Sequence, residues 1–297
     1  MMSNLLAVSG RKSIINKIKP YLFLFPVLFF AFGFVYFPFA RTFLYSFSRV
    51  NFRGEITGFT GLRNFRRLFG DPVFITVLKN TLTLTTVYVI LNLFFSFSLA
   101  VLAARKRRFG MLYETMFMLP MAVSMPAASQ IFKLLLEPAM GILNYKLGLN
   151  IGWFTDPHTA IYGIVMVCLW IGMPFDFLLF LSALRNIPSS LMDAADIDGA
   201  GFAHYLFRIQ IPLAAPTILF VICTNTVLAM MTSTPVMIIT GGQPGYSTVT
   251  LVYMMYTWGY QSSNYSLASC ISIVTFALTF GMVLLAFSFE HKKVHYQ

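Results

Sequence analysis

The chain has 297 residues, of which 58% are hydrophobic and only 10% charged, at a mean hydropathy of +0.74. A soluble domain carries about a quarter charged residues, so this composition excludes an ordinary soluble fold and reads as an integral membrane protein. The formal charge of +11 would suit nucleic acid, but the basic residues sit mainly beside apolar runs, where positive charge orients membrane helices; no nucleic-acid partner is expected.

Residues 1–20 hold Arg11, Lys12, Lys17 and Lys19 without an acid, which suits a cytoplasmic tail. The first apolar run, Tyr21 to about Tyr45, is too long for a signal-peptide core and is expected to remain as a membrane anchor, bent by Pro26 and Pro38. About twenty apolar residues cross the hydrocarbon layer, and on that length five more spans are expected near 76–103, 109–132, 159–182, 213–236 and 265–288. The fold class predicted is thus an all-α membrane protein, with a six-helix domain over 21–288 and a second tail at 289–297. Six spans put both termini on one side. Twelve of the 21 basic residues fall on the side assigned as inner: the first four, Arg105, Lys106, Arg107, Arg108, Arg185, Arg208, Lys292 and Lys293. The expected location is the cell membrane, with both termini cytoplasmic. Cys168, Cys223 and Cys270 lie in apolar segments at no ligand spacing and read as free core thiols.

The first outer loop, 49–75, runs against the charge rule with Arg49, Arg53, Arg63, Arg66 and Arg67; long loops cross despite their charge. Within it Leu62, Phe65, Leu68 and Phe69 recur at helical spacing, which predicts a helix lying along the membrane with its arginines among lipid headgroups. The third outer segment, 237–264, opens on turns at Gly241, Gly242, Pro244 and Gly245 and continues through Tyr253, Tyr256, Trp258 and Tyr260, an interfacial aromatic belt.

No G-x-x-x-x-G-K-[ST] motif occurs, nor any Gly-Lys dipeptide, so the loop that cradles ATP phosphates is missing; hydrolase and metalloprotease motifs are missing too, and no catalytic or metal-ligating residue is assigned. His291 and His295 are four apart in a basic tail, the pattern of a solvated tail rather than a metal site. Inside the expected spans, Asp176 is the costly residue: a carboxylate facing lipid at mid-membrane costs about 2.5–3.5 kcal/mol, so it must face protein or water. Asn80, Asn92, Gln130 and Asn225 are cheaper polar groups, suited to interhelical hydrogen bonds. Asp176, Gln130 and Asn225 are the candidate solute-pathway residues.

Between the fourth and fifth expected spans, residues 183–212 include DAADIDGAGFAHYLFRIQIP, a polar segment with the marks of a folded element. Pro188 pre-sets a first helical turn, Ser190 and Asp193 stand at capping-box spacing, and Gly199 offers a left-handed bend before a second short helix. Ala194, Ala195 and Ala200 leave little side chain on one side, so another backbone has room to approach. Phe202, Tyr205, Leu206 and Ile209 form an apolar stripe, and Pro212 is expected to close the segment.

This segment resembles the EAA loop of ABC-transporter permeases: Asp193, Ala194, Ala195, Asp198, Gly199, Ala200, Ile209, Ile211 and Pro212 fall on the pattern, with Asp193 in place of its glutamate and Ile211 in place of its leucine. The turn at Gly241, Gly242 and Pro244 followed by Ser247, Thr248, Thr250 and Leu251, the Gly61, Leu62, Asn64, Phe65 element, and Trp170 with Gly172 are similar to the sugar-uptake subgroup. The resemblance covers nearly the whole chain. It implies a cytoplasmic coupling helix between the fourth and fifth spans that seats in a groove of an ATP-hydrolysing subunit. It also implies a second, similar permease, two ATPase subunits that use ATP and Mg, an extracellular solute-binding protein, and a sugar or oligosaccharide as solute. A permease for glycerol phosphate or another polar solute is a small revision of that reading. A self-sufficient transporter or channel, and a membrane scaffold holding a soluble partner by the same loop, are the readings outside it.

Overall fold

The computed structural model describes residues 19–104, 110–138 and 141–293. Most of the expected N-terminal tail, the basic run Arg105 to Arg108, and His295 lie outside the described residues.

Helix α1 (Lys19–Ser46) is apolar on every side and largely stands off from the rest of the chain; its C-terminal half packs on the last helix, with the rings of Phe39 and Phe276 5.2 Å apart and edge to face. One residue before Pro38 its backbone widens to a five-residue hydrogen bond from Phe37 N–H to Phe32 O, because the proline has no N–H to continue the regular ladder. Strands β1 (Ser48–Val50) and β2 (Ile56–Phe59) pair antiparallel, Ser48 facing Phe59, and lead into α2 (Arg63–Phe69). The helix expected in this loop is thus present, but its apolar residues divide. Leu62 and Phe69 are exposed, whereas Leu68 is fully buried and Phe65 packs beside it against the bundle, so the stripe is shared between the surface and the core. Asn64 fixes this cap: its Nδ2 donates to Ser46 O, Ser48 O and Thr60 Oγ1, each at 3.0 Å. An Asn64→Ala variant should lose about 1–2 kcal/mol, the cost of leaving those acceptors without a donor, and show faster amide exchange over residues 46–60. Unchanged exchange there would refute the assignment.

Helix α3 (Pro72–Ala104) is the spine of the bundle. Asp71 caps it by accepting from Val73 N–H at 2.9 Å. Its 33 residues span roughly 50 Å at 1.5 Å each, more than the hydrocarbon layer needs. Three apolar clusters lie along it. Phe74 and Val77 pack with Leu68, Met254 and Ile271; Leu84 and Tyr88 with Ile164 and Val236; Ala100 and Val101 with Phe177, Phe180 and Val221.

The expected third span is two helices. Helix α4 (Gly110–Ala122) and helix α5 (Met125–Leu135) meet at 100°. Pro120 stands at the start of the tighter 3₁₀ turn, Leu119–Ala122, that ends α4, and Pro126 in the first turn of α5, positions where a proline can start a helical segment but not carry a regular helix through. A short α6 (Ile142–Leu147) follows, then α7 (Ala160–Arg185), α8 (Ser189–Ile197), and the pair α9 (Phe202–Leu213) and α10 (Ala215–Met230), bent by 68°. The fifth expected span is corrected at its end: the helix stops at Met230, and Val236–Thr240 is a separate turn. Helix α11 (Leu251–Tyr256) leads into the aromatic segment, and α12 (Tyr265–Lys293) closes the bundle. Among the described residues, four helices are long and apolar enough to cross a membrane, and each of the two bent pairs has the apolar length of one more.

Candidate functional site

Two sets of residues follow from the chain: a polar cluster inside the bundle and the segment after α7. The cluster grows from one face of α3. Thr81, Thr85, Tyr88, Asn92 and Ser96 recur at three- and four-residue steps, so they share a stripe, and all five are buried, while Ile90, Phe94 and Phe95 between them point outward. This is the arrangement expected where lipid is the solvent: apolar residues outside, polar ones among helices. Asp176 of α7 is 1% exposed and lies against that stripe. Its Oδ2 accepts from Asn92 Nδ2 at 2.5 Å and from Asn225 Nδ2, on α10, at 2.6 Å. The Tyr88 hydroxyl closes the set, donating to Asn225 Oδ1 and accepting from Asn92 Nδ2, both at 3.3 Å.

One carboxyl oxygen therefore ties α3, α7 and α10 together. The Asn92 Oδ1 and Thr85 Oγ1 atoms are buried without a partner. A Cβ at Gly172 would overlap the Tyr88 hydroxyl, so the glycine after Trp170 is what lets α3 approach α7 here. Of the three candidate pathway residues, Asp176 and Asn225 are brought together and Gln130 is not: it is exposed on α5 and takes no part in the cluster's hydrogen bonds. Asn80 serves elsewhere, donating to Tyr246 O at 2.7 Å and Val249 O at 3.2 Å.

The segment after α7 folds as helix, bend, helix. Helix α8 begins at Ser189, directly after Pro188, so Ser190 lies within the first turn and does not cap it, a correction to the expected capping box. Gly199 has φ +69°, and Ala200 N–H reaches back to Ala195 O at 2.9 Å, the long bond of a helix C-terminal motif built on a left-handed residue. Asp193, Ala194, Asp198 and Gly199 are exposed, as is Ile197 at 86%. Ala195 is turned inward and Ala200 half-buried, so the small-residue face is only partly free. On α9, Leu206 and Ile209 pack into the cluster formed by Phe180 and Val221. Pro212 does not end the helix. The backbone widens before it, Ile211 N–H bonding to Leu206 O, and the chain turns two residues later at Ala214.

A cleft of 970 Å³ opens beneath α8, lined by Arg185, Met192, Ala200, Phe202, Tyr205 and Gln210 among others. Beside it Arg185 holds Glu114 of α4 through two bonds, Nη2 to Oε1 at 2.5 Å and Nη1 to Oε2 at 3.1 Å. Both side chains are in contact with solvent, so Glu114→Gln should cost only about 0.5 kcal/mol, and less in high salt. Thermal unfolding at two ionic strengths checks this; a loss insensitive to salt would contradict it.

The family described as the binding-protein-dependent transport system inner membrane component matches residues 14–291. The chain belongs to this family. The permease is 31% identical over 282 residues to the sn-glycerol-3-phosphate transport system permease protein UgpA of Pectobacterium atrosepticum, an alignment covering 94% of this chain and 96% of that protein. UgpA of Agrobacterium fabrum is 32% identical over 285 residues, with 95% and 97% covered. Among solved structures, a chain of a bacterial alginate ABC transporter in complex with alginate pentasaccharide-bound periplasmic protein superposes at a TM-score of 0.82 and 22% identity, covering 96% of this chain and 99% of its own. A second alginate transporter structure gives 0.80 and 20%. The permease thus has the ABC importer permease fold, and it is a multi-pass subunit of an ABC importer, a transport component rather than an ATPase.

Tyr88 and Asn92 complete the polar cluster, and neither stands among the pathway residues selected from sequence. The signal was in the spacing of residues 81, 85, 88, 92 and 96, a polar stripe within an apolar helix.

Proposed function

We propose that the permease crosses the membrane six times with both termini cytoplasmic, each bent pair supplying one crossing. In this reading α8 is the cytoplasmic coupling helix, and Asp193, Ala194, Ala195, Asp198, Gly199, Ala200, Ile209 and Pro212 form the element that an ATPase subunit grips. The assembly comprises a second permease, two ATPase subunits using ATP and Mg, and an extracellular solute-binding protein. The cargo is a sugar or oligosaccharide. The likeness to UgpA makes a glycerol phosphate the competing cargo.

One observation carries the mechanism: α7 and α10, the two helices joined through the coupling segment, are tied directly to each other by the bond from Asn225 to the Asp176 carboxyl, to which α3 is also bonded. ATP binding closes the ATPase pair and displaces α8. The bend at Gly199 and the apolar stripe of α9 pass that displacement to α7 and α10, and the membrane cavity opens to the other side. Solute favours one state only by binding it better than the other. Asp176 and Asn225 border the moving helices and are the pathway residues of this reading; exposed Gln130 would belong to a surface shared with the second permease.

The test is uptake into proteoliposomes holding the permease with its second permease, ATPase and binding protein, using labelled oligosaccharide and labelled glycerol 3-phosphate in parallel. Uptake should require both ATP and the binding protein. Solute movement by the permease alone, without ATP, would support a self-sufficient carrier instead.

A further inference from the structure

A cleft of 210 Å³ lies apart from both sites, between α2 and the chain leading into α12, lined by Arg67, Asp71, Trp258, Ser262 and Asn264. Asp71 directly precedes α3 and Asn264 directly precedes α12, two of the long apolar helices. In the six-crossing reading proposed above, on which this inference rests, the cleft lies at the ends of two crossing helices, toward the height at which tryptophan indoles and arginines meet lipid headgroups. Its charges are unmatched. Arg67 and Asp71 stand four residues apart around the same cleft, yet no ion pair joins them.

The remaining polar atoms are mostly donors. Among the described residues, Trp258 Nε1 and the side-chain Nδ2 of Asn264 make no hydrogen bond, while the Asn264 backbone N–H donates to Trp258 O at 2.8 Å and Asn264 Oδ1 is taken by Leu267 N–H at 3.3 Å. One Asp71 oxygen caps α3, leaving the other for the cleft. Several donors around one carboxylate call for a ligand that is an anion with many acceptors and also carries a cationic donor. We propose that this cleft holds a zwitterionic phosphodiester bearing a primary ammonium, in the form of a phosphatidylethanolamine headgroup. The phosphate lies against Arg67, Trp258 and Asn264, and the ammonium against Asp71. A volume of 210 Å³ accommodates one such headgroup.

The assembled transporter in detergent is to be titrated with phosphatidylethanolamine, phosphatidylcholine and phosphatidylglycerol of the same acyl chains, and bound lipid counted by native mass spectrometry. Phosphatidylethanolamine should bind about fivefold better than either of the others, the gain expected of one partly solvated charge contact. Arg67→Gln should weaken all three. Asp71→Asn should bring phosphatidylethanolamine down to the level of phosphatidylglycerol, while the asparagine still caps α3, so that the fold survives. Equal binding of the three lipids, or an unchanged preference in Asp71→Asn, would overturn the proposal. So would displacement of the lipid by soluble glycerophosphoethanolamine at equal concentration, which would assign the same chemistry to a free solute.

Discussion

Uptake through a Gly199→Pro variant should fall at least about tenfold while the complex still assembles, reaches the membrane and hydrolyses ATP. Gly199 sits at φ +69°, and proline is locked near −65°, so the left-handed bend cannot form. The bond from Ala200 N–H to Ala195 O, which fixes the angle between α8 and α9, is lost with it. The strain is about 1–3 kcal/mol, enough to disrupt an exposed element locally but small against a membrane bundle packed on three apolar clusters. Gly199→Ala, which tolerates the left-handed region at a cost of about 1 kcal/mol, should be intermediate. ATPase rate and uptake are to be measured on the same proteoliposomes. Normal uptake by the proline variant would remove α8 from the coupling path.

The second large effect lies in the bundle. Asp176→Leu deletes the acceptor shared by Asn92 and Asn225 and leaves two buried amide groups without it. Hydrogen bonds between membrane helices average about 0.6 kcal/mol each, and an orphaned buried donor costs about 1–3 kcal/mol, so a loss of about 2 kcal/mol is expected. Asp176→Asn keeps an acceptor oxygen and should lose less than about 1 kcal/mol. Equilibrium unfolding in mixed micelles separates the two variants. A leucine variant as stable as the parent would show that the cluster contributes nothing to holding α3, α7 and α10 together. Gly172→Ala should behave like a milder form of Asp176→Leu, since its methyl group displaces the Tyr88 hydroxyl that completes the same set.

Much of the helical framework was legible because lipid imposes it: long apolar runs predicted α1, α3, α7 and α12 nearly to their ends. The segment at Asp193 to Pro212 was legible from local chemistry, since a proline, a glycine and an apolar stripe each act within a few residues. What sequence did not give depends on contacts far apart in the chain. Asn92 meets Asp176 across 84 positions and Asp176 meets Asn225 across 49, and neither spacing leaves a periodic trace. Gln130 looked equivalent to Asn225 because both are amides in apolar runs; only the direction each helix face takes separates the exposed one from the buried one. The break between α4 and α5 was hidden for a related reason. An apolar run has the same hydropathy whether straight or folded back, and Pro120 and Pro126 permit a sharp turn without requiring it. On α2, the periodicity was read correctly but its partner was not: Leu68 belongs to a core contributed by α3, α11 and α12.

Because three helices share the single oxygen Asp176 Oδ2, none of them can slide past the others by much more than an ångström without breaking a bond of 2.5 or 2.6 Å. They form a stiff wedge. In the coupling mechanism proposed above, bending is expected to collect where the backbone is already interrupted, at the 100° elbow of α4 and α5 and the 68° elbow at Ala214.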